Sequence, residues 1–325
     1  MSKEPKEKKI NAVFEGGGVK GIGLVGAIAA TEEAGYTFAN VGGTSAGAIV
    51  ASLIAAGYNA AELKQIMDAL DYTDFQDKNT IANIPIIGTT RSIRKKYGQY
   101  LGQFFEHWLR ELLLARGVRT FGDLISDPEA TDPCQRYKLQ VIASDISQGR
   151  LLILPGDIQK FGINPDDFEV ATAVRMSMSL PFFFEPVCLE DLSGEVHFIV
   201  DGGLLSNYPV WLFDPQNNNK TLPTFGYQLI ESAQKPLHEI TSSVTFGLAM
   251  ALTMMEAHDQ HSIRQINFNR TIEIPTLGVG TTEFELTRER SDMLYQSGLK
   301  AGRAFFNRRD SEEHLHTHHT TEKGT

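Results

Sequence analysis

The sequence predicts an α/β protein, and two stretches near its start carry that prediction. Lys9-Ile10-Asn11-Ala12-Val13-Phe14 is an apolar run of strand length that enters Gly16-Gly17-Gly18, and helix formers with small residues on one face follow from Val19 to Ala34. The pattern then recurs: Thr37 to Val41 reads as a second short strand and Ala46 to Ala56 as an apolar helix, with Gly42-Gly43-Thr44-Ser45 between them. The chain has 325 residues, 42% hydrophobic and 22% charged, which is ordinary for a globular protein. No internal repeat or linker divides it, so a single domain over residues 10–305 is expected. A basic extension (1–9) precedes it, and a polar tail (306–325) expected to be disordered follows.

The remaining elements follow in order. Asn59 and Glu62 form a capping signature for a helix through Leu70. Residues 72–90 keep no period and read as a long loop. Ile93, Tyr97, Tyr100, Leu101, Phe104, Trp108 and Leu112 recur at helical spacing, an amphipathic helix interrupted by Gly98 and Gly102. Leu139–Ser144 and Arg150–Leu154 flank Ser147-Gln148-Gly149 and predict a hairpin. Asn164-Pro165-Asp166-Asp167 starts a helix that ends near Pro181. Glu195 to Val200 is a further strand, and it delivers Asp201-Gly202-Gly203.

Charge and cysteine content exclude several classes. Thirty Lys and Arg against 40 Asp and Glu give −10, a field that repels phosphate backbones and argues against nucleic acid as a partner. Cys134 and Cys188 make no disulfide framework and fit a reducing, cytoplasmic setting. The apolar run from Ile10 meets Glu15 too soon for a secretory signal, although export without a cleavable signal stays open. Ala34 to Ala61 is free of charge for 28 residues, but its glycines and hydroxyl residues fit a buried strand, turn and helix better than a bilayer span.

Eleven of the 29 glycines fall between Gly16 and Gly57, and two motifs in that stretch bear on chemistry. Gly43-Thr44-Ser45-Ala46-Gly47 is a G-x-S-x-G sequence between a strand and an apolar helix. Such a turn holds its serine in a strained conformation and presents the hydroxyl at the positive end of the helix. Gly16-Gly17-Gly18-Val19-Lys20-Gly21 fits a dinucleotide fingerprint poorly, because no acid follows the second strand until Glu62. The alternative is a set of amides from Gly17, Gly18 and Val19 aimed at a reacting carbonyl oxygen, with Lys20 adding positive potential.

A serine nucleophile needs a base. None of the nine histidines follows a strand end; His107 lies on the amphipathic helix, and His314, His316, His318 and His319 lie in the tail. Asp201 does end a strand and meets two glycines that permit close approach. To accept a proton its affinity must be raised by desolvation. Asp145, ending the Val141-Ile142-Ala143-Ser144 strand, is the second candidate.

The three motifs in this order, with Leu180-Pro181 and Asn207-Tyr208-Pro209, resemble the patatin-like phospholipase family over residues 10–230. Glu15 departs from the aspartate that family usually carries before the glycines, which puts the loop geometry in question. The resemblance implies a three-layer α/β/α fold with a mostly parallel central sheet. By position it makes Ser45 the nucleophile, Asp201 the base, and Gly16, Gly17, Gly18 and Val19 the oxyanion hole, with Lys20, Gly21, Gly43, Gly47, Gly202 and Gly203 in support. The implied reaction is hydrolysis of acyl esters of phospholipids or lysophospholipids, with no metal or cofactor. A lipid transacylase using the same dyad and a non-catalytic lipid-binding module are the alternatives. Arg91, Arg94, Lys95 and Lys96 beside Tyr97, Tyr100, Phe104, Phe105 and Trp108 suggest peripheral membrane contact. Met176-Ser177-Met178 and Phe182-Phe183-Phe184 are candidates to line an acyl pocket. Oligomeric state is not legible.

Overall fold

The computed structural model describes residues 8–75, 97–215, 222–231, 240–262 and 268–321. Strand β1 (Lys8–Phe14) alternates its side chains as a strand must: Ile10, Ala12 and Phe14 enter the main core, while Val13 faces the other way. A single 3-10 turn (Gly18–Lys20) leads into α1 (Gly21–Glu33), and β2 (Tyr36–Thr44) leads into α2 (Ala46–Ala55). Helix α3 (Ala60–Ala69) begins with the predicted reciprocal cap, in which Asn59 Oδ1 accepts the Glu62 N–H and Glu62 Oε2 accepts the Asn59 N–H, both at 3.0 Å.

Further along come β3 (Gly98–Tyr100), α4 (Gln103–Leu114), β4 (Leu139–Asp145), β5 (Arg150–Leu154) and α5 (Val170–Ser177). After these lie β6 (Phe182–Phe184), β7 (Val187–Glu190), β8 (Val196–Asp201) and β9 (Thr224–Ile230). Helix α6 (Ser243–Ser262), β10 (Thr271–Pro275) and α7 (Arg288–Thr321) complete the chain.

The main sheet runs β10-β9-β1-β2-β4-β8-β7, with β5 also paired to β4. The five strands from β10 to β4 are parallel to their neighbours; β8, β7 and β5 add antiparallel pairs. Parallel strands are covered on both faces, and β1 and β4 are buried accordingly. Helical side chains such as Ile22, Leu53, Leu109 and Val174 build the main core, and Leu212 with Phe213 closes the opposite face over Val13 and Ile142.

Helices α1 and α7 approach almost backbone to backbone. A Cβ added at Gly26 would lie 2.0 Å from the Tyr295 carbonyl oxygen, and one at Gly298 would lie 1.9 Å from that of Gly23. The small face expected of α1 is what admits α7.

Several expectations are corrected. The amphipathic pattern around Tyr97 does not start a helix: Gly98–Tyr100 pairs in parallel with Phe182–Phe184, and a side chain at Gly98 would strike the Phe184 backbone. Helix α4 starts only after Gly102, whose φ of +68° lets the chain turn in. The cap at Asn164 opens one 3-10 turn, Pro165–Asp167, rather than a helix to Pro181. The chain then extends through Phe168 and Glu169, held by a Phe121 N–H to Phe168 C=O bond of 3.0 Å, before α5 begins. The first strand begins one residue before the expected Lys9, at Lys8, within the segment assigned to the N-terminal extension. The polar residues after Phe306 continue α7 to Thr321. The loop expected over 72–90 opens with a 3-10 turn at Tyr72–Phe75; the rest of it, and the basic patch Arg91 to Lys96, lie outside the described residues. No described helix is long and apolar enough to cross a membrane.

Candidate active site

Ser45 stands between β2 and α2 with φ 53° and ψ −124°, a conformation ordinarily left to glycine. Its neighbours allow the turn to close. A Cβ at Gly43 would lie 2.5 Å from the Gly47 carbonyl carbon, and one at Gly47 would lie 2.2 Å from the Phe14 carbonyl oxygen. Ser45 is the N-cap of α2, yet its hydroxyl does not cap the helix. Ser45 Oγ instead donates to Asp201 Oδ2 at 2.7 Å.

Sheet register explains that meeting. Thr44 pairs with Ile142 on one side of β4, and Asp201 pairs with Ala143 on the other. The serine that follows Thr44 is therefore level with Asp201, one strand away. A side chain at Gly202 would hit the Ile142 carbonyl oxygen at 2.3 Å, so glycine there brings β8 to its turn. Asp201 is 1% exposed, and burial pushes its pKa up to about 7 against the opposing hydrogen bonds from Gly203 N–H and Ser45. The two carboxylate oxygens divide the work: Oδ1 accepts the Gly203 N–H at 2.8 Å and Oδ2 faces Ser45.

The glycine loop leaves β1 beside Ser45; a Cβ at Gly16 would lie 3.1 Å from that of Ser45. Two of the four amides expected to serve an oxyanion are already used. Gly16 N–H donates to the Asn207 carbonyl at 3.1 Å and Val19 N–H to that of Thr281 at 3.3 Å. Among the described residues, no backbone hydrogen bond is donated by the Gly17 or Gly18 N–H. Gly18 has φ +58°, and a Cβ there would meet the Thr281 carbonyl oxygen at 2.0 Å. Lys20 is buried, and its ammonium lies 2.9 Å from Glu231 Oε1, which balances the charge expected to act at the helix start. Gly21 opens α1 with ordinary clearance from Ala46. The departure at Glu15 is accommodated within the loop: its carboxylate accepts from the Leu229 N–H and from Asn207 Nδ2.

Sequence reasoning missed the role of α5. Three successive residues at its end touch the pair. Ser177 Oγ accepts the Ser45 N–H at 2.8 Å, Met178 Sδ lies 3.6 Å from Ser45 Oγ, and the Ser179 carbonyl accepts the Asp201 N–H at 2.9 Å. Ser177 and Met178 were marked beforehand, but only as acyl-pocket candidates; their contact with Ser45, and that of Ser179 with Asp201, was not foreseen. Of the other acyl-pocket candidates, Met176 is in the core, Phe183 stacks on Phe284 at 5.0 Å, and Phe182 is 42% exposed at φ +67°.

Asp145 does not face Ser45. Its carboxylate accepts from His197 Nδ1 at 2.9 Å and from the Ser147 and Gln148 N–H groups. Among the described residues no histidine bonds Ser45; His107 is exposed on α4 and His197 is held between Asp145 and Asp191. Cys134 and Cys188 form no disulfide with each other.

A serine in a strained strand-to-helix turn, bonded to a buried carboxylate on a mostly parallel sheet, is the layout of an α/β acyl hydrolase. The family model described as Patatin-like phospholipase matches residues 12–214, and the chain belongs to that family of lipid hydrolases. It is 38% identical over 298 residues to the uncharacterized protein YqhO of Bacillus subtilis (strain 168), covering 91% of this chain and 97% of that one. It is 24% identical over 303 residues to the uncharacterized protein R571 of Acanthamoeba polyphaga mimivirus, covering 90% and 91%. The fold is also that of VipD from Legionella pneumophila, with a TM-score of 0.55 at 17% identity over 93% of this chain and 67% of VipD. ExoU in its complex with SpcU from Pseudomonas aeruginosa gives 0.51 at 19%, over 93% of this chain and 52% of that one.

Proposed function

We propose that the protein hydrolyses fatty acyl esters of phospholipids or lysophospholipids through Ser45 and Asp201. The observation that carries this reading is the 2.7 Å bond from Ser45 Oγ to a carboxylate whose pKa burial has raised to about 7. A base of that strength can take a proton near neutral pH and return it.

In the first step Ser45 Oγ bonds to the ester carbonyl carbon while its proton passes to Asp201 Oδ2. The amides of Gly17 and Gly18 hold the oxyanion, aided by the positive end of α2. Collapse breaks the ester C–O bond, and Asp201 gives its proton to the departing alkoxide, which leaves as the deacylated lipid. Water then enters, Asp201 takes one of its protons, and the hydroxide oxygen bonds to the acyl carbon. The Ser45–acyl bond breaks, and the proton returns to Ser45 as the fatty acid departs.

The test is mass spectrometry of the protein after reaction with a fluorophosphonate, joined to measurement of fatty acid release from phosphatidylcholine and lysophosphatidylcholine. The expected adduct lies on Ser45, and both Ser45→Ala and Asp201→Asn lose release by at least a thousandfold. Unchanged turnover in Ser45→Ala overturns the reading.

A further inference from the structure

Helix α6 roofs the turn that carries Asp201. Its inward side chain Met255 lies against Gly203, where an added Cβ would come within 2.4 Å of Met255 Cε and 3.1 Å of Asp201 Oδ1. One turn from its start, Gly247 seats the ring of Phe182. Gly247, Ala249, Ala251, Leu252 and Met255 are buried and fix the orientation of the helix.

The outer face is unlike a solvent face. Phe246, Met250 and Met254 follow at i, i+4 and i+8, so they stack along one side, and they are 54%, 52% and 46% exposed. No charged residue occurs from Ser243 to Met255. Beside this stripe, Phe182 adds a further exposed ring. A row of large apolar side chains left open along an uncharged stretch of helix is a surface that meets an apolar partner.

We infer that the outer face of α6 is a docking surface for a zwitterionic phospholipid bilayer. The inference rests on the lipid hydrolase reading. Its own support is continuity: the helix that bears the exposed stripe is the one whose inner side covers the Asp201 turn, so a bilayer seated on Phe246, Met250 and Met254 meets the protein next to Ser45. The charge of the lipid follows from the same residues. A helix that reaches an anionic surface by attraction carries Lys or Arg on its polar face. From Ser243 to Met255 α6 has none, and the chain carries −10. Apolar insertion is left as the means of attachment.

The test is flotation of the Ser45→Ala protein with phosphatidylcholine vesicles, which keeps the lipid intact. Binding is expected, and raising salt from 0.1 to 1 M is expected to change it less than twofold, because insertion is not screened. The triple variant Phe246→Gln, Met250→Gln, Met254→Gln is expected to bind at least tenfold more weakly. Met250→Gln alone, with an unchanged melting temperature, gives a smaller loss in the same direction. Equal flotation of the triple variant overturns the inference. So does a preference for anionic vesicles that disappears at high salt. A change from dimer to monomer in the triple variant, with no vesicle binding by the parent, assigns the face to a second copy of the chain and equally overturns it. Absence of a fluorophosphonate adduct on wild-type Ser45 strikes instead at the hydrolase reading, and the two failures stay distinct.

Discussion

The backbone N–H of Ser45 donates a 2.8 Å hydrogen bond to Ser177 Oγ, joining the first residue before α2 to the last residue of α5. At φ 53° a serine backbone is held by its surroundings or not at all. The bond is one of those holds, and it acts on the main chain rather than on the hydroxyl. Ser177→Ala is therefore expected to lower kcat about ten- to a hundredfold with little change in KM, since a small misplacement of a reacting atom costs that much. Steady-state kinetics on a soluble p-nitrophenyl ester, with the rate of fluorophosphonate labelling as a second readout, checks this. A change confined to KM would sink it.

Activity should follow the protonation of Asp201. Its pKa, about 7 because of burial, makes the unprotonated fraction fall tenfold for each pH unit below that value. The expected profile of kcat/KM rises with unit slope from pH 5 to about 7 and then levels. A profile flat across pH 5 to 7 would dissociate Asp201 from the proton transfer.

The same group sets a cost in stability. Between the ordinary carboxylate value of 3.8 and about 7, the folded protein keeps the Asp201 proton and the unfolded chain loses it. The folded state then binds more protons, so this contribution to stability falls as pH rises through that window and is constant above it. Asp201→Asn removes the penalty while keeping an acceptor for the Gly203 N–H. At pH 8 the variant should be more stable than wild type, by up to about 4 kcal/mol. At pH 4 the gain should be largely gone. Urea unfolding at both values decides it; an equal difference at the two pH values contradicts the account.

Gly298→Ala tests the packing of α7 on α1. Helix propensity alone would favour alanine by about 1 kcal/mol. The new methyl group, however, would lie 1.9 Å from the Gly23 carbonyl oxygen, which belongs to a helix backbone and cannot swing aside. Overpacking of this kind costs about 1–3 kcal/mol. A net loss of stability in chemical denaturation is expected, and a gain would show that the two helices have room to part.

Ser45 and its glycines were readable because a strand-to-helix turn is specified by its own few residues. Asp201 was readable for a similar reason: it ends a strand and meets Gly202-Gly203. The opposite case is Gly16 and Val19, whose amides looked as available as those of Gly17 and Gly18. Their acceptors, the carbonyls of Asn207 and Thr281, lie far along the chain and leave no local trace. Lys20 is similar, since Glu231 is 211 residues away. Helix α6 was missed because its hydrophobic residues point both inward and outward, which erases the one-sided period that marks a surface helix. Tyr97 and Tyr100 misled for the converse reason: their spacing suits a helix, while Gly98–Tyr100 pairs with Phe182–Phe184 as a strand.

The strand order bears on how the protein can be dissected. Strand β1, which leads into the glycine loop, has β2 on one side and β9 on the other, with Ala12 opposite Phe225 and Phe14 opposite Tyr227. The segment shared with the family ends at residue 214, before β9 begins. Cutting there would turn an interior strand into an open edge and remove Phe225 and Tyr227, both fully buried, from the core. The inherited signature is thus shorter than the unit that folds, and a fragment trimmed to the signature would carry both Ser45 and Asp201 yet aggregate through the flank of β1.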